Sequence, residues 1–386
     1  MSNHESIQEE LAQLDELGLT RRLRTLQSSG GFVEWKGRNY MNLSSNDYLN
    51  LANDYRVKEG AIEAIEKFGC GATASRLMAG HFSIHEQLEE ALSDWLGMDS
   101  CLVFPSGFQA NLGMVTSLVN AEGAVFSDAL NHASIVDGCR LSGAPIHIYD
   151  HADADHLETL LQSVTVTGRK LIVSDSVFSM DGDHAPLKRL TELARKYDCL
   201  LAIDEAHAIG IFGDGHGLCY QLNVRPDIIV GTLTKSFGSG GGFICSPDDF
   251  RSLFINRARS FIFSTGLSPA CVGSALAALE VMRLNTDMGA ELLVRSKSFR
   301  ASLESEGVSV PDQDSQIIPI MIGENADAVH CMDELLKDYV LLAAVRPPSV
   351  PHGTARLRIS LTRAHGEDDL ANAAKLIAQV VQPSKV

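Results

Sequence analysis

Apolar positions follow two rhythms in this chain, and the rhythm changes along it. Ile7, Leu11, Leu14, Leu17 and Leu23 recur among charged residues at spacings near three and four, which predicts a helix with one apolar stripe over the first 27 residues. Gly30-Gly31 ends it, and short extended pieces follow at 32–35 and 40–43. From about residue 46 to 265, short apolar runs alternate with helical periodicity. Runs 124–127, 146–149, 171–174, 200–203, 228–230 and 242–245 have the length and composition of buried strands. Segments 84–96, 109–119, 153–163 and 187–197 carry the helical period instead. Strands interleaved with helices predict an α/β fold with a mostly parallel central sheet flanked by helices. After about residue 266 the pattern shifts. Two long helical stretches, 270–284 and 287–306, lead to a strand at 317–322, a helix at 326–338, strands at 340–345 and 356–361, and a last helix from about Glu367. The chain thus divides into an N-terminal helix and extended segment (1–45), a large domain (46–283) and a smaller C-terminal α/β domain (284–386).

Composition narrows the class of protein. At 45% hydrophobic and 21% charged, the chain has the make-up of an ordinary globular protein. A formal charge of −17 argues against nucleic acid or an anionic membrane as the main partner. It still permits an anionic substrate, because local basic residues outweigh a distant field. The eight cysteines form no C-x-x-C pair and no dense framework, as expected of free thiols in a reducing compartment. The N-terminus has no basic region followed by an apolar stretch, and no apolar run approaches the roughly 18–20 residues that span a bilayer. A cytoplasmic protein with no membrane span is expected.

Chemistry enters at two strand ends. Run 200–203 leads into Asp204-Glu205-Ala206-His207, and run 228–230 leads into Gly231-Thr232-Leu233-Thr234-Lys235-Ser236-Phe237-Gly238. If both runs are parallel strands, Asp204, His207 and Lys235 emerge at the carboxyl ends, where open α/β sheets place ligands. A lysine, a carboxylate and an imidazole gathered there suggest pyridoxal phosphate (PLP). The lysine holds the aldehyde as a Schiff base, and the carboxylate keeps the pyridine nitrogen protonated so that the ring withdraws electrons. Taken singly, Asp204 serves equally as a helix cap and His207 as a satisfied loop histidine. A lysine between a strand and a glycine turn has little structural purpose, since lysine is seldom buried without a partner.

Two helix starts add to this group. Ser106-Gly107-Phe108 opens a helix whose N–H groups suit an anion, although a plain serine N-cap reads the same way. Asn131-His132-Ala133-Ser134 opens another, where His132 either caps the helix or stacks on the pyridine face. Glycines 238 and 240–242 do not make G-x-G-x-x-G and precede a strand, so a dinucleotide fingerprint fails and a tight turn beneath the lysine remains. Arg356-Leu357-Arg358 alternates like a strand. The two guanidinium groups are expected on opposite faces, one of them free to clamp a carboxylate.

In order along the chain, Ser45-Asn46-Asp47-Tyr48-Leu49, His85-Glu86-Gln87-Leu88-Glu89, Ser106-Gly107-Phe108, His132-Ala133-Ser134, Ser179-Met180-Asp181-Gly182-Asp183, Asp204-Glu205-Ala206-His207, Thr232-Leu233-Thr234-Lys235 and Phe263-Ser264-Thr265 resemble the α-oxoamine synthases. These are PLP-dependent transferases of fold type I that join an amino acid to an acyl-CoA thioester with loss of carbon dioxide, and the resemblance covers nearly the whole chain. It implies that Lys235 forms the Schiff base and then moves the Cα proton. Asp204 would pair with the pyridinium nitrogen, His207 would bond the phenolic oxygen and His132 would stack on the ring. Ser179 and Thr232 would line the cofactor, with Ser106, Gly107 and Phe108 near its phosphate. Ser264 and Thr265 resemble residues that reach the phosphate from a neighbouring subunit, which implies a homodimer with shared active sites. Asn46 and Arg358 would hold the amino-acid carboxylate, and Arg24, close to Arg21 and Arg22, would contact the acyl substrate. No metal is implied.

Segment 346–358 and Ser75-Arg76-Leu77 are most similar to the biotin-pathway branch of the family, in which L-alanine and a pimeloyl thioester, on CoA or a carrier protein, give 8-amino-7-oxononanoate. Two departures keep an alternative open, namely glycine or serine with a different acyl-CoA. Segment 71–76 is less glycine-rich than usual in the family, and Thr234-Lys235-Ser236-Phe237-Gly238 resembles the serine palmitoyltransferase branch.

Overall fold

A computed structural model of the chain describes residues 3–28 and 30–381. These fold into two compact units. The larger comprises Leu49–Ser179 and Asp183–Ala290, and the smaller comprises the chain up to Tyr48, Met180–Gly182 and everything from Glu291 onward.

Helix α1 (Asn3–Glu16) opens the smaller unit, and none of its residues is buried. It is shorter than the apolar spacing predicted. The chain turns at Gly18, with φ +64°, and residues 19–28 are not helical. The apolar spacing of Leu17 and Leu23 thus continues past the end of the helix, and both side chains are exposed. Met1 and Ser2, also expected in that helix, lie outside the described residues. Strands β1 (Phe32–Trp35) and β2 (Arg38–Asn42) form a hairpin whose two turn residues, Lys36 and Gly37, both take positive φ, the geometry that matches strand twist.

The larger unit begins with α2 (Tyr55–Phe68) and α3 (Ser83–Leu96). Its sheet comprises β3 (Ser100–Phe104), β4 (Ala124–Asp128), β5 (Ile146–Tyr149), β6 (Lys170–Asp175), β7 (Leu200–Asp204), β8 (Ile228–Thr232) and β9 (Gly242–Ser246). The spatial order is β3-β9-β8-β7-β6-β4-β5. Neighbours from β8 to β5 pair in parallel, and β9 runs antiparallel to both of its neighbours. The mostly parallel sheet expected from the sequence is therefore present. Helices α4 (Gly107–Leu118), α5 (Ala133–Ser142), α6 (Ala154–Ser163), α7 (Leu187–Lys196) and α8 (Leu218–Gln221) lie in the connections between these strands. Then come α9 (Asp248–Arg257), α10 (Arg259–Ile262) and α11 (Pro269–Leu284); α12 (Met288–Ser305) starts at the end of this unit and from Glu291 onward belongs to the smaller one. Strands β3, β4, β8 and β9 are buried along their whole length, as parallel-type sheets covered on both faces require.

Two sequence features of this unit prove to be structural. His85 accepts from Phe82 N at 3.1 Å and bonds Leu267 O at 2.9 Å. Glu89, buried, takes Arg76, Arg251 at 2.9 Å and Val103 N at 2.8 Å. The motif around 85–89 thus ties α3 to β3 and to the chain leading into α11.

The smaller unit resumes with β10 (Ile317–Gly323), α13 (Asn325–Lys337), β11 (Val340–Leu341), β12 (Ala343–Val345), β13 (Ala355–Ser360) and α14 (Glu367–Val381). It has two three-stranded sheets, β1-β2-β11 and β10-β13-β12. The single strand expected at 340–345 is divided between them. β11 pairs in parallel with β2 and β12 antiparallel with β13, so the chain changes partners at Leu342, which a run of apolar residues cannot reveal. No helix among the described residues is long and apolar enough to cross a membrane.

Two predictions follow from packing and burial. Helices α2 and α11 touch backbone to backbone, since a Cβ on Gly273 would stand 2.3 Å from Gly60 O. Gly273→Val should therefore destabilise the protein by about 1–3 kcal/mol in urea unfolding; an unchanged midpoint would show that the contact yields. In the smaller unit, His365 is buried, accepts from Thr362 N at 3.1 Å and bonds Gly31 O and Asn42 O at 3.2 Å each. Burial pushes its pKa down from 6.5 to about 4. The neutral ring's contribution is full above the unfolded value and is lost as pH falls through 6.5 towards 4, an effect of roughly 3 kcal/mol. Unfolding free energy should drop over that window, and His365→Asn should flatten the slope.

Candidate active site

The parallel register sets Asp175 of β6 beside Asp204 of β7, and Asp204 beside Val230 of β8. Between β4 and β6 the connections depart in opposite directions, towards β5 on one side and β7 on the other. Open sheets bind ligands at the carboxyl ends beside such a switch point. From Thr232, the last residue of β8, the chain turns through Thr234 to Lys235. There the Lys235 Nζ lies 2.8 Å from His207 Nε2. Asp204 is buried, and both its oxygens are engaged: Oδ1 accepts from Ala206 N at 2.9 Å, and Oδ2 accepts from Asn111 Nδ2 at 2.7 Å.

His132 is the N-cap of α5. Its Nδ1 accepts from Ser134 N at 3.2 Å and lies 2.7 Å from Ser134 Oγ, while its own backbone N donates to Asp175 Oδ2 at 2.8 Å. The capping alternative is therefore realised, and it occupies only one edge of the imidazole. Burial lowers the His132 pKa, Asp204 pulls it back up and Lys235 adds to the lowering. A neutral ring results, suited to lying on an aromatic face. The Phe108 ring meets it edge-on, with centroids 6.4 Å apart.

Ser106 caps α4 by accepting from Gln109 N at 3.2 Å. Gly107 lies close against β9, because a Cβ on Gly242 would fall 2.4 Å from Gly107 N. Gln109 Nε2 donates to Ser264 Oγ at 3.2 Å, which brings residue 264 of the same chain to this helix start, and Thr265 forms a bridge with Ser75. Thr232 Oγ1 donates to Gly241 O at 3.1 Å and accepts from Thr234 N at 3.2 Å, fixing the turn that presents the lysine. Ser179 is half-buried in the hairpin that follows β6, closed by the Val177–His184 bridge.

Three residues without an assigned role in the sequence belong to this group. Asn111 joins Asp204 to Ser134 Oγ, at 2.9 Å. It lies four residues after Gly107 on α4 and hence on the same face, a spacing that could have disclosed it. Ser134 completes that link to His132. Asp175 anchors the His132 turn, and its carboxyl is pushed up by burial and then by Asp204 alongside. The signal for it was an aspartate ending each of two neighbouring apolar runs. Glu205, by contrast, faces away: it accepts from Cys219 N at 3.3 Å, and burial raises its pKa to about 7.

The residues present fit PLP. An amine stands at Lys235, a buried carboxylate with its donors fixed stands at Asp204, and α4 begins with a glycine that leaves its N–H groups uncovered by a side chain. Asn111 Oδ1 is buried with no protein partner, as expected where a ligand completes the site.

In the smaller unit, Arg356 and Arg358 are both buried. The expectation of opposite faces was wrong. Residues two apart in a strand share a face, and partners rather than faces distinguish these two arginines. Arg356 pairs with Asp181 and donates to Thr354 O at 3.1 Å. Arg358 donates to Ser360 Oγ at 2.6 Å and to Asn46 Oδ1 at 3.2 Å. Arg24 lines a cavity of about 590 Å³ together with Arg21, Arg22, Arg346 and Asp333. Arg346 is held below the usual guanidinium range by burial and then by Arg21.

The family model for aminotransferase class I and II matches residues 38–377. The 8-amino-7-oxononanoate synthase of Geobacter sulfurreducens is 44% identical over 383 residues, 97% of each chain. That of Lysinibacillus sphaericus is 42% identical over 366 residues, 94% of each. Among solved structures, a serine palmitoyltransferase from S. paucimobilis with bound PLP superposes with a TM-score of 0.92 at 28% identity, covering 97% of this chain and 96% of that one. An 8-amino-7-oxononanoate synthase from Francisella tularensis superposes with a TM-score of 0.77 at 26% identity, covering 89% of this chain and 98% of that one.

Asn111→Ala should weaken PLP binding roughly tenfold, about the worth of one hydrogen bond to a charged group. Absorbance titration of the apoprotein measures this; unchanged affinity would mean that Asp204 is oriented without the amide.

Proposed function

Since this chain belongs to the aminotransferase class I and II family, in its α-oxoamine synthase branch of PLP-dependent acyltransferases, we propose that it condenses L-alanine with a pimeloyl thioester to give 8-amino-7-oxononanoate, a step of biotin biosynthesis. The observation that carries the reading is the full-length likeness to synthases of that name. PLP, when bound, supplies an aldehyde that links to amines and a protonated ring that draws electrons from the adjacent carbon.

The rest falls to the chain's own residues. Lys235 takes the proton from the amino-acid Cα and returns it at the end, with His207 2.8 Å away to hold the amine in place. Asp204, fixed by Asn111 and Ala206 N, keeps a negative charge for the ring nitrogen. His132 stays neutral and packs against the ring. The start of α4 at Ser106, Gly107 and Phe108 takes the phosphate, and Ser179 and Thr232 line the ring. The substrate Cα bonds to the thioester carbonyl carbon, the thiol leaves, and loss of carbon dioxide gives the amino ketone. Asn46 and Arg358 are assigned the amino-acid carboxylate. Arg24, with Arg21 and Arg346 on the same cavity, is assigned the anionic end of the acyl substrate. Ser264 and Thr265 are assigned to the phosphate of a second copy's site, making the working species a homodimer. Eight unpaired cysteines support a reducing, cytoplasmic setting.

One observation favours a second reading. The serine palmitoyltransferase structure superposes more fully than the synthase from Francisella tularensis, which keeps glycine or serine with another acyl-CoA as the alternative. Sequence identity points the other way and is weighted more here, because backbone overlay follows the shared fold while substrate choice follows side chains.

Crossing pimeloyl, acetyl and palmitoyl thioesters with alanine, glycine and serine, and following thiol release with mass-spectrometric product identification, tests the reading. Product from alanine and the pimeloyl donor alone is expected; equal turnover with serine and palmitoyl-CoA would overturn it. Lys235→Ala should lower turnover roughly 10²–10⁴-fold and abolish the absorption band of lysine-bound PLP; retained turnover would remove the lysine from the mechanism.

A further inference from the structure

We propose that His151 is a positioning residue for the cofactor site, a doubly protonated clasp that holds together the two loops carrying His132 and Ser179. Its Nδ1 lies 2.9 Å from Asp128 Oδ1 and its Nε2 lies 2.6 Å from Asp183 Oδ2. A neutral imidazole has one N–H and would point its lone pair at one of these carboxylates, so carboxylates on both nitrogens require both protons. Burial works against the charged ring, but the hydrogen bonds to Asp128 and Asp183 outweigh it and push the His151 pKa up to about 10.

Each carboxylate in turn organises one loop. Asp128 ends β4 and is almost wholly buried. Its Oδ1 also accepts from Leu130 N and its Oδ2 from Ala152 N, both at 2.8 Å, so it shapes the turn that delivers Asn131 and His132. Asp183 is the last residue of the 179–183 motif. Its carbonyl accepts from Phe178 N at 3.0 Å, closing the hairpin that carries Ser179. The Phe178 ring meets the His151 imidazole edge-on, with centroids 4.4 Å apart. Without the cation between them, Asp128 would be a buried carboxylate facing a second one, a costly arrangement. Asp128 also acts on Asp175, raising its pKa, and Asp175 holds the His132 backbone N–H. Neutralising Asp128 therefore limits the negative charge that accumulates behind Asp204.

The clasp rests on the PLP reading of the site and is independent of the acyl donor. Failure of the pimeloyl thioester would leave the following tests unaffected. In holoenzyme with ¹⁵N-labelled histidine at pH 8, both His151 nitrogens should show imidazolium shifts with attached protons; a neutral tautomer overturns the proposal, and this needs no variant to fold. His151→Gln should raise the PLP dissociation constant about tenfold, while KM for amino acid and thioester at saturating PLP stays within about twofold. The double variant H151Q/D183N, in which an amide pair can again bond across the two loops, should recover most of that loss. A lowered Tm with unchanged PLP affinity, or no recovery in the double variant, would reduce His151 to a general structural role and overturn the assignment.

Discussion

A carboxylate taken out of water has to be met by donors, and Asp204 imposes that demand at the functional end of the larger unit. Its two oxygens are answered from different parts of the chain, Ala206 N two residues ahead and the Asn111 amide one turn into α4. Asn111 then reaches Ser134, Ser134 reaches the His132 imidazole, and the His132 backbone reaches Asp175. A single buried charge thus fixes the relative placement of α4, α5, β6 and β7. Lys235 is positioned separately, through Thr232 and Gly241, with His207 as its neighbour. The division suits the chemistry proposed for the site, in which the acid stays where it is throughout a turnover while the amine leaves and returns.

Register makes this arrangement possible. Parallel strands of nearly equal length end together, so aspartates that close β4, β6 and β7 stand in a row across the carboxyl edge. Such a row of like charges is unstable on its own. Each member is therefore compensated differently: Asp128 by His151, Asp175 by the His132 N–H and by a raised pKa, and Asp204 by an amide and a backbone N–H. The same edge that gathers the candidate catalytic group also gathers the repulsion that the surrounding residues must offset.

How much of this was legible in the sequence depended on whether a residue's role is local. Buried parallel strands are apolar throughout, so β4, β6, β7, β8 and β9 were readable as runs, and Asp204, His207 and Lys235 followed as their ends. The order of strands and the reversal of β9 were not readable, because pairing is not recorded in any one segment. Asn111 was missed since a polar residue inside a helix looks solvated until its long-range partner is known. The N-terminal helix was drawn too long because the apolar spacing runs on past Gly18, whose left-handed conformation ends the helix. With Arg356 and Arg358 the mistake lay in the reasoning itself, since a period of two places both on one face. Only the structure could show that Asp181 takes the first while Asn46 and Ser360 take the second.

A strongly acidic chain and the anionic substrates proposed for it are reconciled by distance. At physiological ionic strength, charges more than about 8 Å apart across solvent hardly feel each other. A formal charge of −17 therefore speaks to solubility and to the rejection of polyanionic partners more than to any one site. What any anionic ligand meets is local. Four arginines line one cavity of the smaller unit, and two of them already oppose each other, since Arg21 helps hold Arg346 below its usual range. Like charges held close with few acids between them form an arrangement that an anion would relieve. Arg358 donates to the neutral oxygens of Asn46 and Ser360, whereas Arg356 pairs with the carboxylate of Asp181. The acidic surplus elsewhere on the chain reaches these arginines only weakly, because their partners lie at distances shorter than the screening length.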